Sequence, residues 1–264
     1  MINTIRSELL KMRTMPGVWV TFGLAFPLTI LYMTGLFAAQ GYPGHTFSSV
    51  QGVAHLRQLL GAGYFGITFL APILGVICIT GEYRNKTMTS TFVLTPVRTR
   101  VLAAKVGVTS LWCVLLVCLS LVAVFAIGLA WNDALGGSSS QVVDQFGAVV
   151  PGLLAATVLL GLFGLGFGTL VQNQVAAILL TIGMTFILEM LLVVLARAIF
   201  QYNLNWLPSA ASQALAGELA RGLGNRHDPA LQLLSWWKGG LVMLAWGLIP
   251  LALGYFTTFR RDVT

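Results

Sequence analysis

Residues 81–105 have the sequence GEYRNKTMTSTFVLTPVRTRVLAAK, a polar and basic stretch that separates two long apolar runs. The chain of 264 residues is otherwise strongly apolar, with 57% hydrophobic and only 9% charged residues. Soluble domains carry about a quarter charged residues, so this composition excludes an ordinary soluble fold and indicates a membrane protein. The stretch is therefore predicted to lie in water between two membrane spans.

Apolar runs of about 20 residues are long enough to cross about 30 Å of hydrocarbon as helices. The sequence contains six such runs, at residues 18–39, 59–80, 106–131, 148–171, 175–199 and 239–259. Because the runs are continuous rather than alternating, they predict helices and not the strands of a barrel. We therefore predict an all-α polytopic membrane protein with six transmembrane helices in a single domain, residues 1–264.

The positions of the basic residues predict the orientation, since Lys and Arg beside membrane spans tend to remain in the cytoplasm. If both termini are inside, the outer side carries only four basic residues of those near the spans, namely Arg57, Arg221, Arg226 and Lys238. Residues 81–105 are then cytoplasmic. The basic residues there are expected to contact anionic lipid headgroups, and no nucleic-acid partner is predicted because no aromatic stacking surface accompanies them.

Residues 1–17 are predicted to form an amphipathic helix in the membrane interface, because Ile5, Leu9 and Met12 recur at helical spacing. Pro16 and Gly17 should end this helix before the first span. A solvated basic segment that only fixes the topology is the alternative. The apolar run that follows is too long for the hydrophobic region of a signal peptide, so we expect no cleavage.

Motifs for metal binding or enzymatic chemistry are not found in the sequence. Three cysteines fall inside predicted spans, where free buried thiols are expected: Cys78, Cys113 and Cys118. The three histidines, His45, His55 and His227, have no ligand-type neighbours at metal-binding spacing. We therefore predict no catalytic and no metal-binding residues.

Lys86 and Thr87 form the residue pair that ends a phosphate-binding loop, but they do not belong to one. Asn85 stands where that loop requires glycine, and no glycine lies five positions before it. The chain therefore lacks a Walker A motif, and no cofactor-binding residues are predicted. Any ATP that drives this protein must be bound by another polypeptide.

Residues 81–105 resemble a motif of type-2 ABC transporter permeases, in which the second span ends in Gly-Glu-Tyr-Arg. In those proteins a Thr-rich stretch, a Thr-Pro pair and a basic segment ending in Ala-Lys follow. The matching positions here are Gly81, Glu82, Tyr83, Arg84, Thr87, Thr95, Pro96, Arg98, Arg100, Ala104 and Lys105. The predicted interfacial helix, six spans and basic tail extend the resemblance over nearly the whole chain.

This resemblance implies a permease subunit of an ATP-binding-cassette exporter in a bacterial plasma membrane. Its implied partners are two ATPase subunits, which bind ATP and Mg²⁺, and a second permease copy or paralogue. The resemblance also implies that residues 81–105 are the cytoplasmic coupling loop. The residues expected to contact the ATPase are Gly81, Glu82, Tyr83, Arg84, Thr87 and Met88. Charge reversal at Glu82 is expected to uncouple ATP use from transport and to leave the fold intact.

Residues 201–238 are too polar to cross the membrane and are predicted to form an extracellular loop. Within it, residues 209–220 have helical periodicity after Pro208, and three tryptophans flank the region: Trp206, Trp236 and Trp237. Residues 207–211 resemble the actinobacterial version of the family, in which this region forms a pair of short re-entrant helices. An ordinary outer loop anchored by tryptophans is the alternative.

Glu189 lies inside the fifth predicted span, where an ionised carboxylate without a partner would cost several kcal/mol. Two interpretations remain open. Glu189 lines or gates a pathway between two permeases, or it is a buried structural carboxyl, with Arg197 as a strained partner eight residues further on. An ATP-independent channel or secondary carrier that uses Glu189 as an ion or proton site is the alternative function, and a membrane scaffold is a third.

Glycines crowd the fourth predicted span, at Gly161, Gly164, Gly166 and Gly168. Gly164 and Gly168 have the spacing that allows two membrane helices to approach closely. These glycines are therefore predicted to serve helix packing. The short link after this span predicts that the fourth and fifth spans pack as neighbours.

Overall fold

The computed structural model describes the backbone of residues 2–40, 50–94, 97–134, 139–200, 204–216 and 234–259. Side chains are described for residues 3–31, 66–93, 97–130, 150–196, 198–199, 204–216 and 234–257. All regular secondary structure in these ranges is helical, with no strands, which confirms the predicted all-α fold.

The described ranges contain helices α1 (Ile2–Thr14), α2 (Pro16–Gln40), α3 (Val50–Arg84), α4 (Met88–Leu94), α5 (Arg98–Ala134), α6 (Ser139–Leu170), α7 (Gln174–Ile182), α8 (Glu189–Phe200), α9 (Pro208–Ala216) and α10 (Trp236–Gly254). A π-helical segment, Gly183–Leu188, joins α7 to α8, and a second one, Tyr255–Phe259, continues α10. Prolines inside α2, α3, α6 and α10 do not interrupt these helices.

Five helical stretches are long and apolar enough to cross a membrane: Gly66–Arg84, Arg98–Ala130, Val150–Leu170, Gln174–Ala196 and Trp236–Thr257. They coincide with the second to sixth predicted spans. A sixth candidate exists only if α1 and α2, which meet at an angle of 64°, are counted as one bent span. The structure therefore has five to six candidate spans, in agreement with the predicted multi-pass architecture.

The bend between α1 and α2 follows from Pro16. Proline has no backbone N–H, so it cannot continue the hydrogen-bond ladder of α1. Trp19 closes the corner, because its Nε1 donates to the carbonyl oxygen of Arg13 at 2.7 Å. The same indole contacts Trp112 of α5, with ring centroids 6.1 Å apart in an edge-to-face arrangement. The predicted break at residues 16–17 is therefore close to the observed one at Met15.

Helix α6 is the centre of the bundle, with α3 on one side and α10 on the other. A Cβ atom at Gly164 would overlap the backbone of Pro72, and one at Gly168 would lie 3.2 Å from the Cα atom of Val76. On the side facing α10, a Cβ atom at Gly166 would lie 2.9 Å from the carbonyl oxygen of Gly247. The predicted packing role of these glycines is confirmed, because only glycine permits such close approach of the helix backbones.

Helix α6 also defines the two ends of the molecule. Its first turns contact α9, whereas its last turn leads into α7, where Gln174 accepts a hydrogen bond of 3.3 Å from Arg84 of α3. We call these the α9 end and the α4 end. The link between α6 and α7 is short because Asn173 caps α7, its side chain accepting from the backbone N–H groups of Val175 and Ala176.

The stretch 81–105 is more helical than a loop. Helix α3 continues through Arg84, and α5 begins at Arg98, so only the residues around α4 depart from the two long helices. The side chains of Gly81 and Glu82 are buried rather than in water. Partner groups for the charges make this possible, as the next section shows.

The cysteines follow the prediction only in part. All three are free thiols, and Cys78 and Cys113 are buried in the core. The prediction was wrong for Cys118, whose side chain is exposed on the surface of α5. Helical periodicity explains the difference, since Cys113 and Cys118 are five residues apart and therefore lie on different faces of one helix.

We expect Gly164→Ala to destabilise the fold by about 1–3 kcal/mol, because the added methyl group would force α3 away from α6. Gly107→Ala is the matched control, since a Cβ atom there has no neighbour within 4 Å. Thermal unfolding in detergent should show a lower midpoint for Gly164→Ala and an unchanged or higher one for Gly107→Ala. Equal midpoints would contradict the proposed close packing.

Candidate functional site

Four charged side chains meet between three helices at the α4 end. They are Glu8 and Lys11 of α1, Glu82 of α3 and Lys105 of α5, and we call them the charge cluster. The side chains of Glu8, Glu82 and Lys105 are at most 2% exposed, whereas Lys11 is 29% exposed. Two carboxylates and two ammonium groups give the cluster no formal net charge.

Lys105 is the buried centre of the cluster. Its Nζ lies 2.6 Å from Glu8 Oε2 and 3.0 Å from Glu82 Oε1, and it also donates to the carbonyl oxygen of Cys78 at 3.3 Å. An ammonium group has three protons to donate, so all three have acceptors here. The hydrogen bonds to charged acceptors are what make the burial of Lys105 tolerable in an apolar core.

Lys11 completes the cluster from its open side. Its Nζ lies 2.6 Å from Glu8 Oε1 and 2.6 Å from Glu82 Oε1, and it donates to Thr91 Oγ1 of α4 at 2.9 Å. Through Lys11 the cluster therefore reaches a fourth helix. The second carboxylate oxygen of Glu82 is buried without a hydrogen-bond partner among the described protein atoms.

The turn that carries α4 has a fixed geometry. Lys86 has a φ of 54°, the left-handed conformation, and ends α3. The Lys86 N–H donates to the carbonyl oxygen of Tyr83, and the Thr87 N–H donates to that of Glu82. This is the Schellman pattern of a helix end, with lysine where glycine is usual. Helix α4 is thus joined to the end of α3 by three residues held in hydrogen bonds.

The predicted ATPase-contact residues separate into two groups. Gly81, Glu82 and Met88 are buried, and Tyr83 is half-buried, so they belong to the interior of the α4 end. Arg84 and Thr87 are exposed. Whether these residues contact an ATPase stays a prediction, but only the exposed ones can do so directly in this conformation. Thr95 and Pro96 of the motif lie outside the described residues.

An exposed surface nevertheless exists at the α4 end, on a face of α4 that sequence analysis missed. The side chains of Thr89, Ser90 and Val93 point outward, and Val93 is 76% exposed. Together with Arg84 to Thr87 they form a continuous segment that we call the α4 face. The signal for it was present in the sequence, since the buried Met88 and Thr91 and the exposed residues alternate at helical spacing.

The burial of Glu82 changes the expectation for charge reversal there. A lysine at position 82 would place a third ammonium group beside Lys11 and Lys105, with Glu8 as the remaining carboxylate. The fold would not stay intact, because uncompensated buried charge is strongly destabilising. Glu82 is therefore better understood as a residue that positions α1, α3 and α5 than as a direct contact.

Glu189 lies at the other end of the bundle and also has partners. Its side chain is 4% exposed, and its carboxylate accepts hydrogen bonds from the backbone N–H of Ser209 at 3.0 and 3.1 Å, from Ser209 Oγ at 2.5 Å and from the Ala210 N–H at 3.4 Å. These are the free donors of the first turn of α9, which begins at Pro208. The side chain of Arg197, the partner considered from sequence, is outside the described residues.

The predicted helix near residues 209–220 is observed as α9, and most of its side chains are buried against α6 and α10. Residues 217–220 and the rest of the predicted outer loop to residue 233 lie outside the described ranges. Trp206, Trp236 and Trp237 are all exposed, between 49% and 69%. Trp246 Nε1 donates to the carbonyl oxygen of Trp206 at 2.9 Å, which fixes the approach to α9.

Metal binding receives no support from the described residues, among which no group of three or more His, Cys, Asp or Glu side chains is arranged to hold an ion. The side chains of His45, His55 and His227, for which no metal was predicted, are not among those described.

The fold and this site define a multi-pass helical membrane protein in which a charge cluster links the interfacial helix to two long spans. A sequence model of the family described as ABC-2 family transporter protein matches residues 4–189, more than two thirds of the chain. The chain belongs to this family and is a transmembrane component of a transporter rather than an ATPase domain. The match includes the whole charge cluster and ends at Glu189. A comparison with curated proteins gives no significant match.

We expect Lys105→Met to lower the free energy of unfolding by about 3–5 kcal/mol, because it leaves Glu8 and Glu82 buried with a single, partly exposed cation. The measurement is chemical or thermal unfolding of the purified chain in detergent. Lys86→Met is the matched control and should change stability little, because Lys86 is exposed. The double variant Lys105→Met with Glu82→Gln should recover part of the loss, and a loss equal to that of the single variant would contradict the coupling.

Proposed function

We propose that this protein is the permease subunit of an ATP-driven exporter, which forms a substrate pathway with a second permease and is moved by separate ATPase subunits. The observation that carries this proposal is the charge cluster, within a chain that belongs to the ABC-2 transporter family. It supports a mechanism in which helices at the α4 end move together when an ATPase acts on them. Both termini and the α4 end are proposed to be cytoplasmic.

The mechanism begins at the α4 face. An ATPase that binds Arg84 to Thr87, Thr89, Ser90 and Val93 pushes on α4, which is hydrogen-bonded to Lys11 through Thr91. Lys11 and Lys105 carry the displacement to α1 and α5, because both bind the same oxygen of Glu82. Buried charges resist separation strongly, so these helices turn as one body.

The α4 face also has the composition of a docking site. Val93 is an exposed apolar side chain outside the candidate spans, with hydroxyl groups and basic residues around it. Interfaces combine an apolar centre with a polar rim, and this arrangement fits that pattern. ATP and Mg²⁺ would be bound by the partner, since the sequence contains no Walker A motif.

The second permease is proposed to cover part of the fifth and sixth spans. Only 17% of the most apolar window of Gln174–Ala196 and 28% of that of Trp236–Thr257 are buried within the chain, compared with 78% for Gly66–Arg84. Lipid or a second subunit must therefore surround these two spans. A copy of this chain and a paralogue both meet that requirement.

The proposal is tested by what co-purifies with the full-length chain in mild detergent. We expect an ABC ATPase in stoichiometric amount, and ATP hydrolysis by that ATPase should change when the permease is added in proteoliposomes. If the chain binds no ATPase, and vesicles with the chain alone pass protons or ions, the carrier or channel alternative is correct. If neither occurs, the scaffold alternative remains.

We expect Val93→Asp to weaken binding of the ATPase about tenfold or more, the loss typical of one important interface residue. The variant should fold normally, because residue 93 is 76% exposed. Lys238→Asp is the control, since it alters an exposed charge at the start of α10, at the α9 end. Titration of the ATPase onto immobilised permease measures the affinity, and unchanged binding by Val93→Asp would exclude the α4 face.

A further inference from the structure

The fifth span is divided into three parts that differ in their surroundings. Its first part, α7, packs against α3 and α6. Its middle is the π-helical segment Gly183–Leu188, and its last part is α8. Among the described side chains of α8, only Glu189 and Ala196 are buried, whereas Met190, Val194 and Ile199 are 54–70% exposed. The two ends of one span are therefore held in different ways.

The π-helical segment is a natural pivot. The N–H of Glu189 donates to the carbonyl oxygen of Met184, five residues earlier, so the α-helical ladder is interrupted there. Thr185 Oγ1 also donates to the carbonyl oxygen of Thr181. Both π-helical turns and such threonine bonds are common causes of helix bending. A Cβ atom at Gly183 would have no neighbour within 4 Å, so the segment has room to change shape.

The pivot itself is fixed to the rest of the protein. Phe186 stacks on Phe69 of α3, with ring centroids 3.8 Å apart and an interplanar angle of 3°. Helix α8 can therefore change direction about this contact while α7 stays in place.

Helix α9 is a firm anchor for α8. A Cβ atom at Gly152 of α6 would lie 2.5 Å from the carbonyl oxygen of Leu215, and one at Gly239 of α10 would lie 2.7 Å from that of Ala211. Helix α9 is thus seated closely on both helices. Glu189, the first residue of α8, is hydrogen-bonded to the opposite, N-terminal turn of α9.

We propose that Glu189 is a latch that fixes the outer half of the fifth span to α9, and that the π-helical segment is the hinge about which α8 swings when the latch opens. The carboxylate and the positive end of α9 attract each other, so the closed state is favoured. Opening costs only a few hydrogen bonds, because α8 has little other buried surface. This proposal concerns the chain itself and does not depend on the docking of an ATPase.

The experiment measures distances within one chain by electron paramagnetic resonance in lipid nanodiscs. One spin-label pair at exposed positions, Ile199→Cys with Trp236→Cys, reports α8 against α10. A reference pair, Val175→Cys with Leu253→Cys, reports α7 against α10. The exposed native Cys118 is replaced by serine in both, and excess unlabelled chain removes distances between subunits.

In Glu189→Ala we expect the distances between α8 and α10 to shift and their distribution to broaden, with the reference pair unchanged. Glu189→Gln keeps the side-chain volume and one acceptor oxygen, so it should fold and give a smaller broadening of the same pair. Met190→Ala is the control, because its neighbouring side chain is 70% exposed, and it should leave both pairs as in the unmodified protein.

Two results would overturn the proposal. If both Glu189 variants keep the original distribution of the pair between α8 and α10, Glu189 is not a latch. If the reference pair broadens to the same extent, the span loosens as a whole and the π-helical segment is not a hinge. Should Glu189→Ala fail to fold, the Glu189→Gln measurement decides between these results.

Discussion

The ammonium group of Lys105 sets the condition that the α4 end must meet. It is almost completely buried, and an isolated charge in such a position would be unstable by several kcal/mol. Glu8 and Glu82 neutralise it, and they come from two other helices. The approach of α1 to α3 and α5 is thereby specified by charge, whereas most other contacts in the core are apolar and less directional. The proposed coupling to an ATPase uses this same property.

A second constraint acts along α6, where glycines let three helix backbones come close together. Gly164 faces Pro72 of α3, Gly166 faces Gly247 of α10, and Gly152 receives the end of α9. These contacts give a rigid central unit. The fifth span differs, because its outer half is largely exposed and is joined to that unit through Glu189. The protein thus combines a tightly packed centre with a peripheral helix that a single carboxylate holds in position.

Several features were predictable from the sequence because each depends on local composition. Long apolar runs gave the spans to within a few residues, Pro16 gave the break after α1, and glycine spacing gave the packing face of α6. The charged residues of the α4 end were also noticed, but each was assigned to water or to the membrane edge. Their mutual contacts could not be predicted, because Glu8 and Lys105 are 97 residues apart in the chain. For the same reason the partner of Glu189 was not identified.

The sequence by itself determined that this chain is a helical, multi-pass membrane protein, since hydrocarbon excludes charges and requires every backbone group to be bonded within a helix. It also contained the residues that place the chain in the ABC-2 transporter family. Only the tertiary structure decided which charges are buried together and which side chains are exposed. Glu82 became an interior residue, the outward face of α4 became the candidate docking surface, and Glu189 became the cap of α9. Such assignments depend on the simultaneous positions of several helices, which local sequence patterns do not specify.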